Sequence, residues 1–451
     1  MAKLMIQRMS FIKNRTNLKL STANIMCVAT AFIWYLLAFI TLSNLANNIG
    51  TNGTENIIIF GVNAGAIALS GLLGSFIIDK FKKRRLFLYL WIISGIALSI
   101  LPLAFNVANI NELLIISLIF GLYFGFGMPA TMGYHSSFTS IEGRAKIGGL
   151  TFLVIGVSSA AISFIPFDSL ILPCLILAFV RLIGLGFFHF MPITQEPNKE
   201  TSKVKYIGLI QNRSFLFYFI PWLMFTLINF TTIPTQNNIP DIKNNPDLFN
   251  VLENIVIAIV AVIGGFVADR WGRKRLTIIG FIVLGIGYAV LGLYPGLFGS
   301  VIYTIVDGVA WGIFYVIFVF TLWGDLAQNR NSDKIYFLGV LPFVSSYFIE
   351  LIFSPILVDI LPSTIFSFAS VFLFLAVLPL IYAPETLPEK LMKDRDLKSY
   401  IENAKKKAQK ESDNVHKKEK PNANNNDDEK PSKSEEDKEY QDAVKLAEKY
   451  Y

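Results

Sequence analysis

The sequence predicts an all-α integral membrane protein in which twelve transmembrane helices form two related six-helix bundles. Three observations predict it. The 451-residue chain is 53% apolar and only 16% charged, with a mean hydropathy of +0.51, and a soluble domain of this size rarely carries so few charges. Twelve apolar runs each reach about 20 residues, the length a helix needs to cross the hydrocarbon core. A basic stretch, Gly264 to Arg275 (GGFVADRWGRKR), has an echo 190 residues earlier at Gly74 to Arg85 (GSFIIDKFKKRR). At that offset Asp79 matches Asp269, Arg84 matches Lys274 and Arg85 matches Arg275. Repetition at such a distance marks two related halves.

Residues 1–21 form a basic N-terminal segment with Lys3, Arg8, Lys13, Arg15 and Lys19. The run 22–46 is too long for the apolar region of a secretory signal and lacks a convincing cleavage site, so it reads as a retained first helix. Helices at 56–78, 86–106, 112–134, 147–167 and 169–192 complete a first bundle, 22–192. A polar linker, 193–213, leads to a second bundle, 214–384, with helices at 214–236, 248–268, 276–295, 298–324, 334–358 and 361–384. The runs have to be helical because the bilayer offers open backbone no partner. None alternates as a barrel strand does. Pro129, Pro342 and Pro355 fall inside runs and mark bends.

Residues 385–451 form a charged, largely disordered tail. Surface helices are expected at 387–410 and 435–451, with disorder at 421–431. The tail reads either as a solvated extension or, through Lys405–Lys407 and Lys417–Lys420, as a contact for lipid or a protein partner.

Charge sets topology. Lys and Arg outnumber Asp and Glu by 24 to 16 up to Pro384, whereas the tail carries 16 and 17. The basic excess therefore belongs to the membrane part, where it lines one side. Loops on that side hold Lys80–Arg85, Arg144, Lys146, Arg213, Arg270–Arg275 and Lys334, and those on the other carry Lys243 alone. The asymmetry places both termini in the cytoplasm and argues against nucleic acid as a partner, and the plasma membrane is the expected location. Cys27 and Cys174 lie inside apolar runs and form no disulfide framework. His135, His189 and His416 lack metal-ligand spacing. With no P-loop and no nucleophile–base cluster in a loop, neither a cofactor nor an enzymatic reaction is expected.

The second basic stretch fits G-x-x-x-(D/A)-D-R-x-G-R-(K/R) at Gly264, Asp269, Arg270, Gly272, Arg273 and Lys274. The first keeps Gly74, Asp79, Arg84 and Arg85, with Lys82 in place of the turn glycine. This pattern resembles the signature loop of the major facilitator superfamily of secondary transporters, and the resemblance spans about residues 20–385. It implies a monomer that moves a small molecule by rocker-switch alternating access around a central cavity. Symport, antiport and uniport all remain open. The residues carry their own physical reading. Asp269 precedes a turn that Gly272 can make with φ > 0. Its carboxylate can face a neighbouring helix N-terminus and the Arg273–Arg275 cluster. Contacts that form in one conformation and break in the other are what a gate needs. The alternative is a topological anchor.

Charges inside the membrane are functional candidates by default. Asp307 and Glu350 lie at comparable depths, as a pair that could carry a proton or attract a cation, or as groups hydrogen-bonded between helices. Glu253 lies near the outer end of its helix and reads as hydrated. Arg181 either bonds to a neighbouring helix or meets an anionic group. Trp34, Tyr35, Asn63, Tyr123, Asn229, Trp311 and Tyr315 are candidates to line the cavity. Pro384-Glu385-Thr386 resembles the ending of the sugar-porter branch, although the seventh helix lacks that branch's Gln-Gln pair. A second reading is a transporter-like sensor or scaffold that signals through its tail.

Overall fold

A computed structural model describes residues 2–80, 83–162, 169–191, 206–327, 332–357 and 360–388, with scattered positions between 392 and 406. Side chains are described from Lys19 onward, those of Asp79 and Lys80 excepted. Among the described residues twelve helices are long and apolar enough to span a membrane. They are α1 (Lys19–Ile49), α2 (Gly53–Ile78), α3 (Arg84–Ala104), α4 (Ile110–Phe138), α5 (Arg144–Ile162) and α6 (Ile171–His189) in the first half. The second half holds α7 (Arg213–Asn237), α8 (Pro246–Trp271), α9 (Arg273–Leu293), α10 (Leu297–Ala327), α11 (Ser332–Leu357) and α12 (Pro362–Tyr382).

Local chemistry starts and stops these helices. Asn109 and Asn212 cap α4 and α7, each side-chain oxygen accepting from the amide two residues on, at 3.0 and 2.9 Å. Proline stands in the first turn of α8 and α12, where its missing N–H costs nothing. The helix of α1 extends back to Ala2. No Gly or Pro interrupts residues 2–49, so the N-terminal segment continues the helix instead of preceding it.

Within the first half α2 packs on α4, and α6 on α1 and α3. In the second, α12 packs on α9 and α7, and α8 on α10. The halves meet where α5 lies on α8 and where α2 and α4 lie on α11. Leu69, Leu73, Ile259, Ile263, Phe368 and Leu378 point outward, as faces solvated by lipid require. Towards its end α10 winds as a π-helix over Tyr315–Thr321. Side chains satisfy the loosened backbone there: Thr321 Oγ1 donates to the Val316 carbonyl at 2.7 Å and Tyr336 Oη to that of Phe320 at 2.6 Å.

Two further boundaries differ from the sequence expectation. The linker contains a short helix, Tyr206–Ile210, with Leu209 buried and the Tyr206 hydroxyl bonded to Ser75 at the end of α2. Residues 385–387 are not tail. Leu387 is buried and Glu385 and Thr386 bond into the bundle, because the first amides of α9 have no acceptor within the helix. From Lys393 the chain forms a separate unit whose described positions, up to 406, are helical. The expectations for 421–431 and 435–451 lie outside the described residues.

Candidate functional site

Asp269 sits in the last turn of α8, and Gly272 ends that helix with φ 105°. Only a residue without Cβ adopts that angle readily, and it lets α9 begin at once with Arg273. The turn aims Asp269 at α5. Its carboxylate accepts from the Lys146 amide at 2.8 Å and the Ala145 amide at 3.3 Å, the first turn of α5, and from Arg273 Nη2 at 2.8 Å. A carboxylate on unpaired helix N–H groups is the favourable pole arrangement. Asp269 thus faces the start of α5 and Arg273, whereas Lys274 bonds elsewhere and Arg275 is exposed.

A second acid completes the cluster. Asp325, near the end of α10, binds Arg144 Nη1 of α5 at 2.6 Å. Its other oxygen lies 3.0 Å from Arg273 Nε, an ion pair by distance though off the line of a hydrogen bond. Arg144 also donates to the carbonyls of Ser136 and Thr139, at 2.9 and 3.0 Å, and to Thr139 Oγ1 at 2.9 Å. Arg273 reaches the Ile141 carbonyl in the opposite half. Two arginines and two aspartates are therefore buried together with no net charge, three from the second half and one from the first.

Glu385 closes the back of this cluster. Its oxygens accept from the amides of Arg273 and Lys274 at 2.9 and 3.1 Å, capping α9. Thr386 Oγ1 donates to Asp325 Oδ2 at 3.3 Å, and the Tyr218 hydroxyl holds the Pro384 carbonyl at 2.7 Å. Lys274 Nζ donates to the Ile381 carbonyl at 2.7 Å, while Arg270 is exposed and outside the cluster. Gly264 is buried facing Ile313 and Leu276, so its role is packing within the second half.

The first copy is arranged differently. Arg84 pairs with Asp333 of α11, again across the halves, and donates to the Ala130 carbonyl at 3.0 Å. Arg85 lies over the rings of Tyr89 and Phe188, at 5.6 and 5.8 Å, within its own half. Gly74 faces the backbone of Phe126 so closely that a Cβ would collide, which fixes α2 on α4. The Asp79 side chain and Lys82 lie outside the described residues.

Beyond these ion pairs a cavity of about 160 Å³ opens between the halves. At Gly149 and Gly265 helices α5 and α8 touch backbone to backbone, whereas at Gly156, which lines the cavity, an added Cβ would meet nothing within 4 Å. The two helices therefore diverge away from the basic end. Rings from both halves form much of the wall: Phe152 stacks on Tyr315 at 4.3 Å, and Phe32 meets Phe320 edge-on at 5.6 Å. On the far side Tyr35 Oη donates to the Val344 carbonyl at 3.2 Å and Phe39 packs edge-on against Tyr347.

Of the residues nominated for the cavity, Tyr35 and Tyr315 line it. Trp34 and Asn63, with Tyr35, line a separate, much smaller cavity in the first half, and the others line neither. Trp34 is fully buried in the first half, its Nε1 donating to Ser99 Oγ at 2.8 Å. Tyr123 stacks on Trp91, and Asn63 Nδ2 donates to the Ser117 carbonyl at 2.9 Å. Trp311 is buried against Tyr315 and Phe225. Arg181 lies over Trp91, Tyr123 and Trp34 at 4.2, 5.1 and 5.4 Å. Large rings and buried polar groups settled against one another inside each half, a packing demand that outranked the cavity.

Asp307 and Glu350 do not form a pair. Asp307 is buried in the second half, where it accepts from Asn229 Nδ2 at 3.3 Å beside Tyr288, and its acidic neighbour is Glu253. Gln236 extends this network to Tyr288 and Tyr303, at 3.0 and 2.8 Å. Glu350 is half-buried near Tyr347 on α11. Equal depth did not bring the two acids to one face. Nor is Glu253 a fully hydrated group: it is half-buried.

A family model described as Major Facilitator Superfamily matches residues 22–333. The chain belongs to the major facilitator superfamily. No curated protein matches it. Among solved structures it is similar to the human organic anion transporter MFSD10 (TETRAN), with a TM-score of 0.58 and 13% identity, covering 81% of this chain and 99% of that one. As a major facilitator it is a multi-pass membrane transporter, with twelve helices in the fold expected. Sequence reasoning missed Asp325, Asp333 and Glu253 as partners of nominated residues. The 190-residue offset also aligns Arg144 with Lys334, at the starts of α5 and α11, two helices that carry inter-half contacts, but it does not point to the acids.

Proposed function

We propose that this major facilitator is a secondary active transporter that moves a small solute by alternating access between its two halves, driven by a proton or solute gradient. One observation carries the reading. The buried Arg144–Asp325 pair, the Arg84–Asp333 pair and the Asp269 carboxylate on the start of α5 join the halves at the basic end, while α5 and α8 diverge around a cavity beyond them. By the distribution of Lys and Arg, the sealed end is cytoplasmic and the cavity belongs to the route from outside. Opening the cytoplasmic end then requires Asp325 to leave Arg144, Asp269 to leave α5 and Asp333 to leave Arg84.

Asp307 is the candidate coupling group. It is a buried carboxylate held by neutral amide and hydroxyl partners, with another acid beside it. Uptake into proteoliposomes from a mixed metabolite pool, with and without an inward proton gradient, tests the reading. Gradient-dependent accumulation of one solute class, lost in Asp269→Asn, is expected. Folded protein that accumulates nothing under any gradient overturns it.

A further inference from the structure

We propose that the inter-half cavity is a cation-binding aromatic cage, and that the solute it takes is a compact organic ammonium ion. The inference rests on the transporter reading, since it names what that site would carry.

The wall supplies the first argument. Six rings line the cavity: Phe32 and Tyr35 from α1, Phe152 from α5, Tyr315 and Phe320 from α10, and Phe343 from α11. They come from both halves, so a solute held among them touches both moving bodies. An aromatic face is the negative pole of the ring quadrupole and attracts a cation that has shed its water. Among the described lining residues there is no Lys, Arg, Asp or Glu. A solute anion would find no cation there, and a buried unpaired charge is costly.

The surrounding charges supply the second argument. Glu253 and Asp307 are the acids within electrostatic reach of Tyr315. Glu253 adjoins Asn254, which lines the cavity. At the basic end Arg144 and Arg273 are paired with Asp325 and Asp269, and Arg84 with Asp333. The charged groups that act on Tyr315 behind this wall of rings are both acids.

The protein itself supplies the third. Arg181 is buried with Trp91, Tyr123 and Trp34 around its guanidinium, and no ion pair joins it to a carboxylate among the described residues. This fold already stabilises one cation in the membrane by rings. The central cavity assembles more rings around a space that has no cation of its own.

Size fixes the class further. A cavity of about 160 Å³ is close to one that accepts benzene, so the ligand is compact. Tyr35, Ser159, Asn254 and Tyr315 are the polar residues among those lining it.

The test is binding to the full-length chain, purified in detergent and monodisperse, by titration calorimetry. Three probes of one shape are used: choline, its uncharged carbon isostere 3,3-dimethylbutan-1-ol, and the anion 3,3-dimethylbutanoate. Choline should bind about tenfold more tightly than the neutral isostere, and the anion most weakly. Phe152→Leu and Phe320→Leu should each weaken choline about fivefold and change the neutral isostere less than about twofold. Glu253→Gln should weaken choline and leave the neutral isostere unchanged. The proposal is overturned if choline does not bind folded protein, if the isostere or the anion binds as well, or if losing both rings leaves choline unaffected. Binding without transport in proteoliposomes would instead remove the transporter reading and leave the cage standing.

Discussion

Asp325 of α10 binds Arg144 of α5 at 2.6 Å, joining two buried side chains that are 181 residues apart and belong to opposite halves. Removing one partner strands the other inside the protein. Asp325→Ala should therefore cost about 3–5 kcal/mol, read as a lowered midpoint of denaturation in detergent. It should also raise the labelling rate of a cysteine introduced at the basic end. Unchanged labelling would separate the pair from gating.

Arg84 and Asp333 make the contrasting contact. Their side chains are 21% and 8% exposed, against 1% and 0% for Arg144 and Asp325. Salt screens exposed pairs far more than buried ones. Raising ionic strength should weaken the destabilisation caused by Asp333→Asn more than that caused by Asp325→Asn, in parallel melts of both variants.

Gly272→Ala should destabilise by about 1–3 kcal/mol, because φ 105° strains any L residue and the new methyl meets the Glu385 carboxylate. Gly156→Ala is the control. Its methyl meets nothing within 4 Å and replaces a glycine inside a helix, so stability should hold or rise by up to about 1 kcal/mol. Chemical denaturation of both variants measures the difference.

Asp307→Asn keeps the shape of the side chain and its place beside Asn229, so the protein should fold normally. Gradient-driven accumulation should be lost while exchange of solute across the membrane continues. Glu350→Gln should leave the gradient dependence intact, because Glu350 stands apart from the Asp307 network. The reverse pattern in the same uptake assay would move the coupling role to Glu350.

Truncation after Met392 should leave stability and transport unchanged, since the unit beyond it begins at Lys393. Truncation after Ala383 removes the Glu385 cap on α9 and the Thr386 bond to Asp325. It should cost about 0.5–2 kcal/mol, visible in the melting temperature of the shortened chains.

The helices were legible because membrane spans are written as contiguous apolar length, and the ends of all twelve lie close to the runs. Asp269 was legible for a similar reason: acid, turn glycine and arginine stand within five residues. Asp325 was not. It lies one residue past the apolar run 298–324, where an acid looks like a wet helix end, and its partner is fixed only by how two bundles dock. The pairing of Asp307 with Glu350 failed for another reason. Counting along a helix gives depth, and depth says nothing about which way a side chain points around the axis. Rings were ambiguous throughout, since the same Trp or Tyr can serve packing or a cavity until its neighbours are known.

The π-helical turn Tyr315–Thr321 gives α10 two pitches along one rod. Wider winding places more residues in each turn than an α-helix would, so it sets the angular phase between Asp307 above the cavity and Asp325 below it. Were the segment to tighten to α-helical winding, each residue absorbed would rotate the lower end by about 100° relative to the upper. Asp325 would swing off Arg144 while Asp307 kept Asn229. The winding of the cavity-lining stretch of α10 therefore fixes the direction in which Asp325 faces Arg144.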